Sequence, residues 1–260
     1  MKAPKPKQLS TEEYEICKKL KDMRLSGMAE ELQKVFSDPN ADLKPFKEKI
    51  QGIIEAEWNL RYTKKLNRFI KNATLKYPTA SLDESIYDPS RQLDTAVIET
   101  LAKCQWIEEG KNLVITGKTS SGKSYLSNAL AICAIRQFKT VKYYKASMLI
   151  NELSRVEKNE TYNDFTSQLS SYDLLIVDDF GLMNLDIDKC RNLFEVFDSR
   201  DPYNSILLVS QIPVKSWYDL FVDHTYAEAS LARVLHDSYR LEMNGKNMRN
   251  LEPINNRKNG

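Results

Sequence analysis

Gly117-Lys118-Thr119-Ser120-Ser121-Gly122-Lys123-Ser124 is the stretch that decides the fold of this chain. It fits GxxxxGK[ST], follows the β-branched run Leu113-Val114-Ile115-Thr116 and leads into a helical stretch from Tyr125 onward. A strand, a tight loop bounded by glycines and a helix N-terminus, in that order, gather backbone N–H groups around one point where the helix dipole also favours negative charge. Phosphates of a nucleoside triphosphate need such a cradle. The whole chain has only 8 glycines, so a chance match has odds of roughly a per cent, before the flanking strand and helix are required. Gly117, Lys118, Thr119, Ser120, Ser121, Gly122, Lys123, Ser124 and Tyr125 are therefore the expected ATP-binding residues. Lys123 is expected on the β- and γ-phosphates, and the Ser124 hydroxyl on Mg2+.

Farther along, Leu174-Leu175-Ile176-Val177-Asp178-Asp179 is an apolar run ending in two carboxylates, the Walker B pattern. A buried strand of this kind brings its acids to the C-terminal edge of a sheet, where nucleotides bind in open α/β folds. Asp178 is expected to hold the magnesium, and Asp179 to orient or deprotonate the attacking water. Val141-Lys142-Tyr143-Tyr144 and Ile206-Leu207-Leu208-Val209-Ser210 bring the short apolar runs to four, alternating with helical stretches. That alternation predicts an α/β domain with a parallel sheet covered on both faces. Asp179-Phe180-Gly181 also spells the DFG of protein kinases, but the HRDxxxxN loop and the VAIK strand are missing and the glycine loop is of the other kind.

Ahead of the sheet the pattern is helical. Ser10-Thr11-Glu12-Glu13 fits a capping box. Met28, Leu32, Val35 and Phe36 follow helical spacing, as do Ile50, Ile54, Trp58, Leu66, Phe69 and Ile70, with Pro39 and Pro45 separating the two sets. On the later helix Arg61, Lys64, Lys65, Arg68 and Lys71 recur at spacings of three and four and form a cationic row. The row reads either as a phosphate-binding face for DNA or as a solvated face, and Arg155 and Lys158 are further DNA-binding candidates. From Thr74 to about Leu93, with Pro78 and Pro89, the pattern loosens into a linker. A small all-α domain over 1–75 and an ATPase domain over 76–260 follow.

Composition agrees with that division. A chain of 260 residues suits one sizeable core and a smaller unit. Residues 1–76 carry 17 Lys+Arg against 11 Asp+Glu, a net of +6, so the remainder of a chain with net charge +2 carries −4. A basic front module suits a nucleic-acid contact. No stretch approaches the roughly 20 apolar residues of a membrane span, and Met1-Lys2-Ala3-Pro4-Lys5-Pro6-Lys7 lacks an apolar core, so no membrane partner and a cytoplasmic location are expected. Cys17, Cys104, Cys133 and Cys190 are scattered without a CxxC pair, and His224 and His236 are the only histidines, which speaks against a disulfide framework or a zinc site.

Taken together the motifs resemble the AAA+ proteins, and among them the IstB family, helper ATPases of bacterial insertion-sequence transposition and relatives of the helicase loader DnaC. The resemblance covers nearly the whole chain. It rests on Leu20-Lys21-Asp22-Met23-Arg24-Leu25-Ser26-Gly27-Met28-Ala29, Glu55-Ala56-Glu57, Trp106-Ile107-Glu108, Tyr172-Asp173 ahead of the acidic strand, Pro213 with Trp217, and Arg233-Val234-Leu235-His236. It implies a helical N-terminal domain that supplies much of the partner contact and an AAA+ core without a full C-terminal lid. It also implies ATP-dependent homo-oligomers on double-stranded DNA with ATP sites shared between subunits, slow hydrolysis stimulated by DNA or partner, and recruitment or stimulation of a transposase. Ser210 and Gln211 would then occupy the sensor-1 place at the γ-phosphate. Arg233 would enter a neighbouring subunit's site as an arginine finger, although by itself it also fits a surface ion pair. Three positions depart from the family pattern: Ser120 stands where a further glycine is usual, Gln211 where asparagine is, and Asn184 where proline is. A DnaC-like helicase loader is the alternative. A small-molecule P-loop kinase and a module that binds ATP without turning it over are rivals of other classes.

Overall fold

The computed structural model describes residues 7–83, 93–158 and 161–243. The basic start up to Pro6 and the part of the linker containing Pro89 lie outside the described residues. The chain forms two compact units, residues 1–68 and 69–260.

The first unit contains α1 (Thr11–Asp22), α2 (Ser26–Ser37), a 3-10 turn (Ala41–Leu43) and most of α3 (Phe46–Ala73). The capping box forms as expected: Glu13 N donates to Ser10 Oγ at 3.2 Å, and Ser10 N donates to Glu13 Oε2 at 2.7 Å. Leu25 gives α2 no side-chain cap, so Glu57 on α3 supplies one. Its Oε2 accepts from Gly27 N at 2.7 Å and from Met28 N at 3.3 Å, while Oε1 accepts from Arg61 Nε at 2.6 Å. The helices cross so closely that a Cβ on Gly27 would lie 2.8 Å from both Ala56 O and Glu57 Cα. Two of the pieces that carry the family resemblance, around Gly27 and at Glu55-Ala56-Glu57, thus meet in one packing joint.

The division between units falls inside α3, not at residue 75. Helical periodicity runs on without a break, whereas the partners change: Phe69 packs edge-on against Phe138 at 6.0 Å, and Lys142 Nζ donates to Asn72 O at 3.1 Å. Beyond the helix, Thr74 Oγ1 donates to Tyr143 O at 3.2 Å. The last turn of α3 therefore belongs with the second unit.

That unit is a five-stranded parallel sheet in the order β2-β3-β4-β1-β5. Its strands are β1 (Leu113–Gly117), β2 (Val141–Lys145), β3 (Leu174–Phe180), β4 (Ser205–Ser210) and β5 (Tyr239–Met243). The first four match the expected runs. Leu174, Leu175, Ile176 and Val177 have no exposed surface, and β4 is buried throughout, as continuous apolar strands in a parallel sheet must be. Helices α4 (Thr95–Ala102) and α5 (Gln105–Glu108) precede β1, and α6 (Lys123–Arg136) covers one face. Helices α7 (Ala146–Lys158), α9 (Ile187–Asp198) and α10 (His224–Leu235) cover the other, around Val114, Leu175, Val177, Ile206 and Leu208, with α8 (Tyr162–Ser170) packed against α7 and α9.

Candidate ATP site

Parallel pairing brings the working ends of three strands to one edge. Thr116 is level with Ser210, and Ser210 with Phe180, so the loop after β1, the acids of β3 and the residue after β4 are neighbours. Between β1 and α6 the chain turns through three positive φ angles, +145° at Gly117, +64° at Ser120 and +91° at Gly122. Glycine adopts such angles freely and serine does not. Lys123, the first residue of α6, is buried and directs Nζ back into the loop, where it donates to Gly117 O at 2.6 Å and Lys118 O at 2.7 Å. Burial pulls its pKa below the usual lysine value, and the charges of Asp178 and Asp179 act in the opposite sense. Ser124 follows, half-buried, and its carbonyl accepts from Asn128 Nδ2 at 2.6 Å. Tyr125, expected among the ATP contacts, turns its ring toward Tyr77 at 5.8 Å and accepts from Ser81 N at 3.2 Å.

The two acids of β3 are set apart by a bulge. Val177 pairs with Leu208 and Phe180 with Ser210, so Asp178 and Asp179 together stand opposite the single residue between them on β4. Asp179 takes φ +59°, a left-handed conformation that aspartate tolerates better than most residues. As a result Asp178 is fully buried while Asp179 keeps about a third of its side chain exposed, at 32%. Asp178 Oδ1 accepts from Asp179 N and Oδ2 from the Tyr143 hydroxyl, both at 2.8 Å. Lys145 Nζ lies 3.9 Å from Asp179 Oδ2. Sequence reasoning missed Tyr143 and Lys145. Only the pairing of β2 beside β3 brings them to the acids.

Ser210 and Gln211, the expected sensor-1 residues, are engaged differently. Ser210 is buried, with Oγ donating to Phe180 O at 2.7 Å and accepting from Ile212 N at 3.0 Å, so its hydroxyl ties β4 to the acidic strand. Gln211 reaches across to the phosphate loop, its Oε1 accepting from the Thr119 hydroxyl. The extra methylene relative to asparagine gives it that reach. Trp217 anchors the following loop, donating to Ile212 O at 2.9 Å and packing edge-on against Phe180 at 4.9 Å.

Arg233 sits at the other edge of the sheet. Its carbonyl accepts from Asn112 Nδ2 at 2.9 Å, just before β1 begins, whereas the phosphate loop follows the end of that strand, about 13 Å away at roughly 3.3 Å per residue. Its guanidinium pairs with Asp198 at 2.8 Å and Asp201 at 3.6 Å. It is not assembled with the ATP site of its own chain.

Arg61, Lys64, Lys65, Arg68 and Lys71 are all exposed along α3. Arg61 pairs with Glu57 and donates to Arg24 O at 3.2 Å, so its guanidinium is partly engaged within its own unit. Arg155 pairs with Glu152, and Lys158 is exposed at the end of α7. Among the described residues no helix is long and apolar enough to cross a membrane.

Comparison with known proteins gives the geometry its context. Residues 18–255 match the family described as IstB-like ATP binding protein. A Sinorhizobium fredii insertion sequence ATP-binding protein is 31% identical over 231 residues, covering 89% of this chain and 94% of that one. The ATP-binding protein of insertion sequence IS1162 from Pseudomonas fluorescens is 34% identical, over 75% of this chain and 84% of its own. Among solved structures, the DnaC helicase loader superposes with a TM-score of 0.55 at 17% identity, covering 65% of this chain and 98% of the loader. AMPPCP-bound DnaA from Aquifex aeolicus gives 0.54 at 20% identity, over 64% and 50%. These neighbours establish the AAA+ P-loop fold, and the sequence relatives the lineage. The chain belongs to the IstB-like ATP-binding family and is a transposition-associated ATPase.

Proposed function

We propose that this protein is an ATP-dependent helper that assembles as a homo-oligomer on double-stranded DNA and there recruits or stimulates the transposase of its element. The observation that carries the reading is the bulge at Asp178-Asp179, which buries one carboxylate, leaves the next about a third exposed and keeps both within electrostatic range of the Lys123 ammonium.

In this reading Lys123 exchanges the carbonyls of Gly117 and Lys118 for the β- and γ-phosphates, and the N–H groups of the loop meet the remaining phosphate oxygens. Asp178 and Ser124 would hold Mg2+. Their donor set is a carboxylate and a hydroxyl, both hard oxygens, and the described residues contain no cluster of three or more acidic, cysteine or histidine ligands. Such a site suits a metal that arrives with the phosphates and keeps several waters. When bound, the ion neutralises charge that develops on the transferred phosphoryl group. Asp179, about a third exposed, accepts a hydrogen bond from the attacking water and lines it up. Gln211 keeps its amide N–H groups for the γ-phosphate or that water while its oxygen is held by Thr119. Arg233 cannot complete its own site, so a role in hydrolysis places it in a neighbour's, after release from Asp198.

The α3 row offers Lys64, Lys65, Arg68 and Lys71 to DNA phosphates, and the insertion-sequence relatives supply the transposase as partner. An ATPase assay with purified protein tests the reading: duplex DNA should raise turnover, and Lys123→Ala should abolish nucleotide binding in a folded protein. Stimulation by single strands in preference to duplex, with capture of a replicative helicase in place of the transposase, would instead point to a helicase loader.

A further inference from the structure

Tyr143 is the middle residue of β2 and is 7% exposed. It is level with Ile176 of β3, and Asp178 lies two residues farther on the same face, a diagonal that an aromatic side chain spans. The phenol reaches Asp178 Oδ2 at 2.8 Å, while Oδ1 is already engaged by Asp179 N at 2.8 Å. The phenol donates and the carboxylate oxygen accepts. Each oxygen of a wholly buried carboxylate thus has one donor, one from the bulge and one from the neighbouring strand. Tyr143 is itself fixed, since its carbonyl accepts from Thr74 Oγ1 at 3.2 Å at the end of α3.

We propose that Tyr143 is a positioning residue for the magnesium site, holding the Asp178 carboxylate in one orientation from the adjacent strand. The inference rests on the reading of Asp178 as the metal-holding acid. Phosphate binding by the loop and Lys123 needs neither group, so loss of the phenol should separate metal dependence from nucleotide binding.

The test is a titration of the full chain with fluorescent N-methylanthraniloyl-ATP, first in EDTA and then at increasing Mg2+, for the unaltered protein, Tyr143→Phe and Asp178→Asn. Tyr143→Phe should bind the nucleotide in EDTA within twofold of the unaltered protein, and its Mg2+ midpoint for tightened binding should rise about tenfold, equivalent to roughly 1.4 kcal/mol. Asp178→Asn should lose most of the Mg2+ effect. A Tyr143→Phe midpoint within twofold of the unaltered one, beside a strongly shifted Asp178→Asn, overturns the role of Tyr143 and leaves the metal assignment standing. An unshifted Asp178→Asn overturns the metal assignment itself. Equal weakening of Tyr143→Phe with and without Mg2+ would mark Tyr143 as a packing residue and also refute the proposal. Should the Phe variant fail to fold, Tyr143→Met, equally without a donor and flexible enough to fill the space, carries the same comparison.

Discussion

Replacing Ser120 by glycine should stabilise the protein. Ser120 holds φ +64° in the phosphate loop, where a Cβ crowds the following carbonyl at a cost of about 1–2 kcal/mol. Glycine removes that crowding but widens the unfolded ensemble, which takes back about 0.4–1 kcal/mol. The difference is a gain of about 0.8 kcal/mol. For a unit spanning residues 69–260, where each kcal/mol moves the midpoint by about 2–4 °C, Tm should rise by about 2–3 °C. Scanning calorimetry of both proteins without nucleotide reads the shift, and ATP affinity measured alongside should be equal or better, because the loop N–H groups are retained. A midpoint that falls by a degree or more would refute the reasoning, since it would mean that the Ser120 side chain stabilises the loop by more than its backbone strain costs.

Other outcomes follow from the same geometry. Asp179→Asn should keep ATP bound, slow hydrolysis and prolong residence on DNA, as seen in parallel nucleotide-binding and turnover assays; unchanged turnover would remove Asp179 from the reaction. Mixing Asp179→Asn with Arg233→Ala should restore part of the activity if Arg233 acts across a subunit interface, and no restoration despite proven subunit exchange would assign it to the Asp198 pair alone. Changing Lys64, Lys65 and Arg68 together to Gln should flatten the log–log salt dependence of duplex binding by about 2.7, at roughly 0.9 per phosphate contact. An unmoved slope would return the row to solvent. The Arg61 hydrogen bond, with those from Met28 N and Gly27 N, outweighs burial and holds the Glu57 carboxyl below the usual glutamate range. The stability this supplies is complete above an unfolded pKa of about 4.3 and is lost as pH falls through the depressed native value. Glu57→Gln should therefore show a shallower acid limb in helix melting between pH 3 and 7, and an identical limb would contradict the linkage.

Much of the site was legible because its chemistry is local. The candidate phosphate loop and its flanking strand and helix are contiguous, and the two acids end an apolar run, so spacing alone singles out Lys123, Ser124, Asp178 and Asp179 as candidates. What escaped depends on pairing between distant segments. Tyr143 reaches Asp178 only because β2 lies beside β3, and the bulge that sets the two acids apart exists only in the register of β3 against β4. β5 was missed for a different reason: as an edge strand it alternates half-buried and exposed positions over Tyr239–Glu242 before the buried Met243, so it lacks the continuous apolar run that revealed the others. The division at 68/69 leaves no mark in the sequence because α3 continues with one periodicity while its packing partners change. The hydrogen bonds of the buried Ser210 hydroxyl to Phe180 O and Ile212 N likewise depend on β4 lying beside β3.

The account turns on ATP occupancy driving assembly on DNA. Mass photometry of the purified chain on a short duplex, with ATP and Mg2+, with EDTA, and with Lys123→Ala in place of the unaltered protein, measures this directly. Multi-subunit complexes should form on the duplex only with ATP and Mg2+ and should be missing with Lys123→Ala. Complexes of the same size in all three conditions, or no association with duplex in any of them, would contradict it.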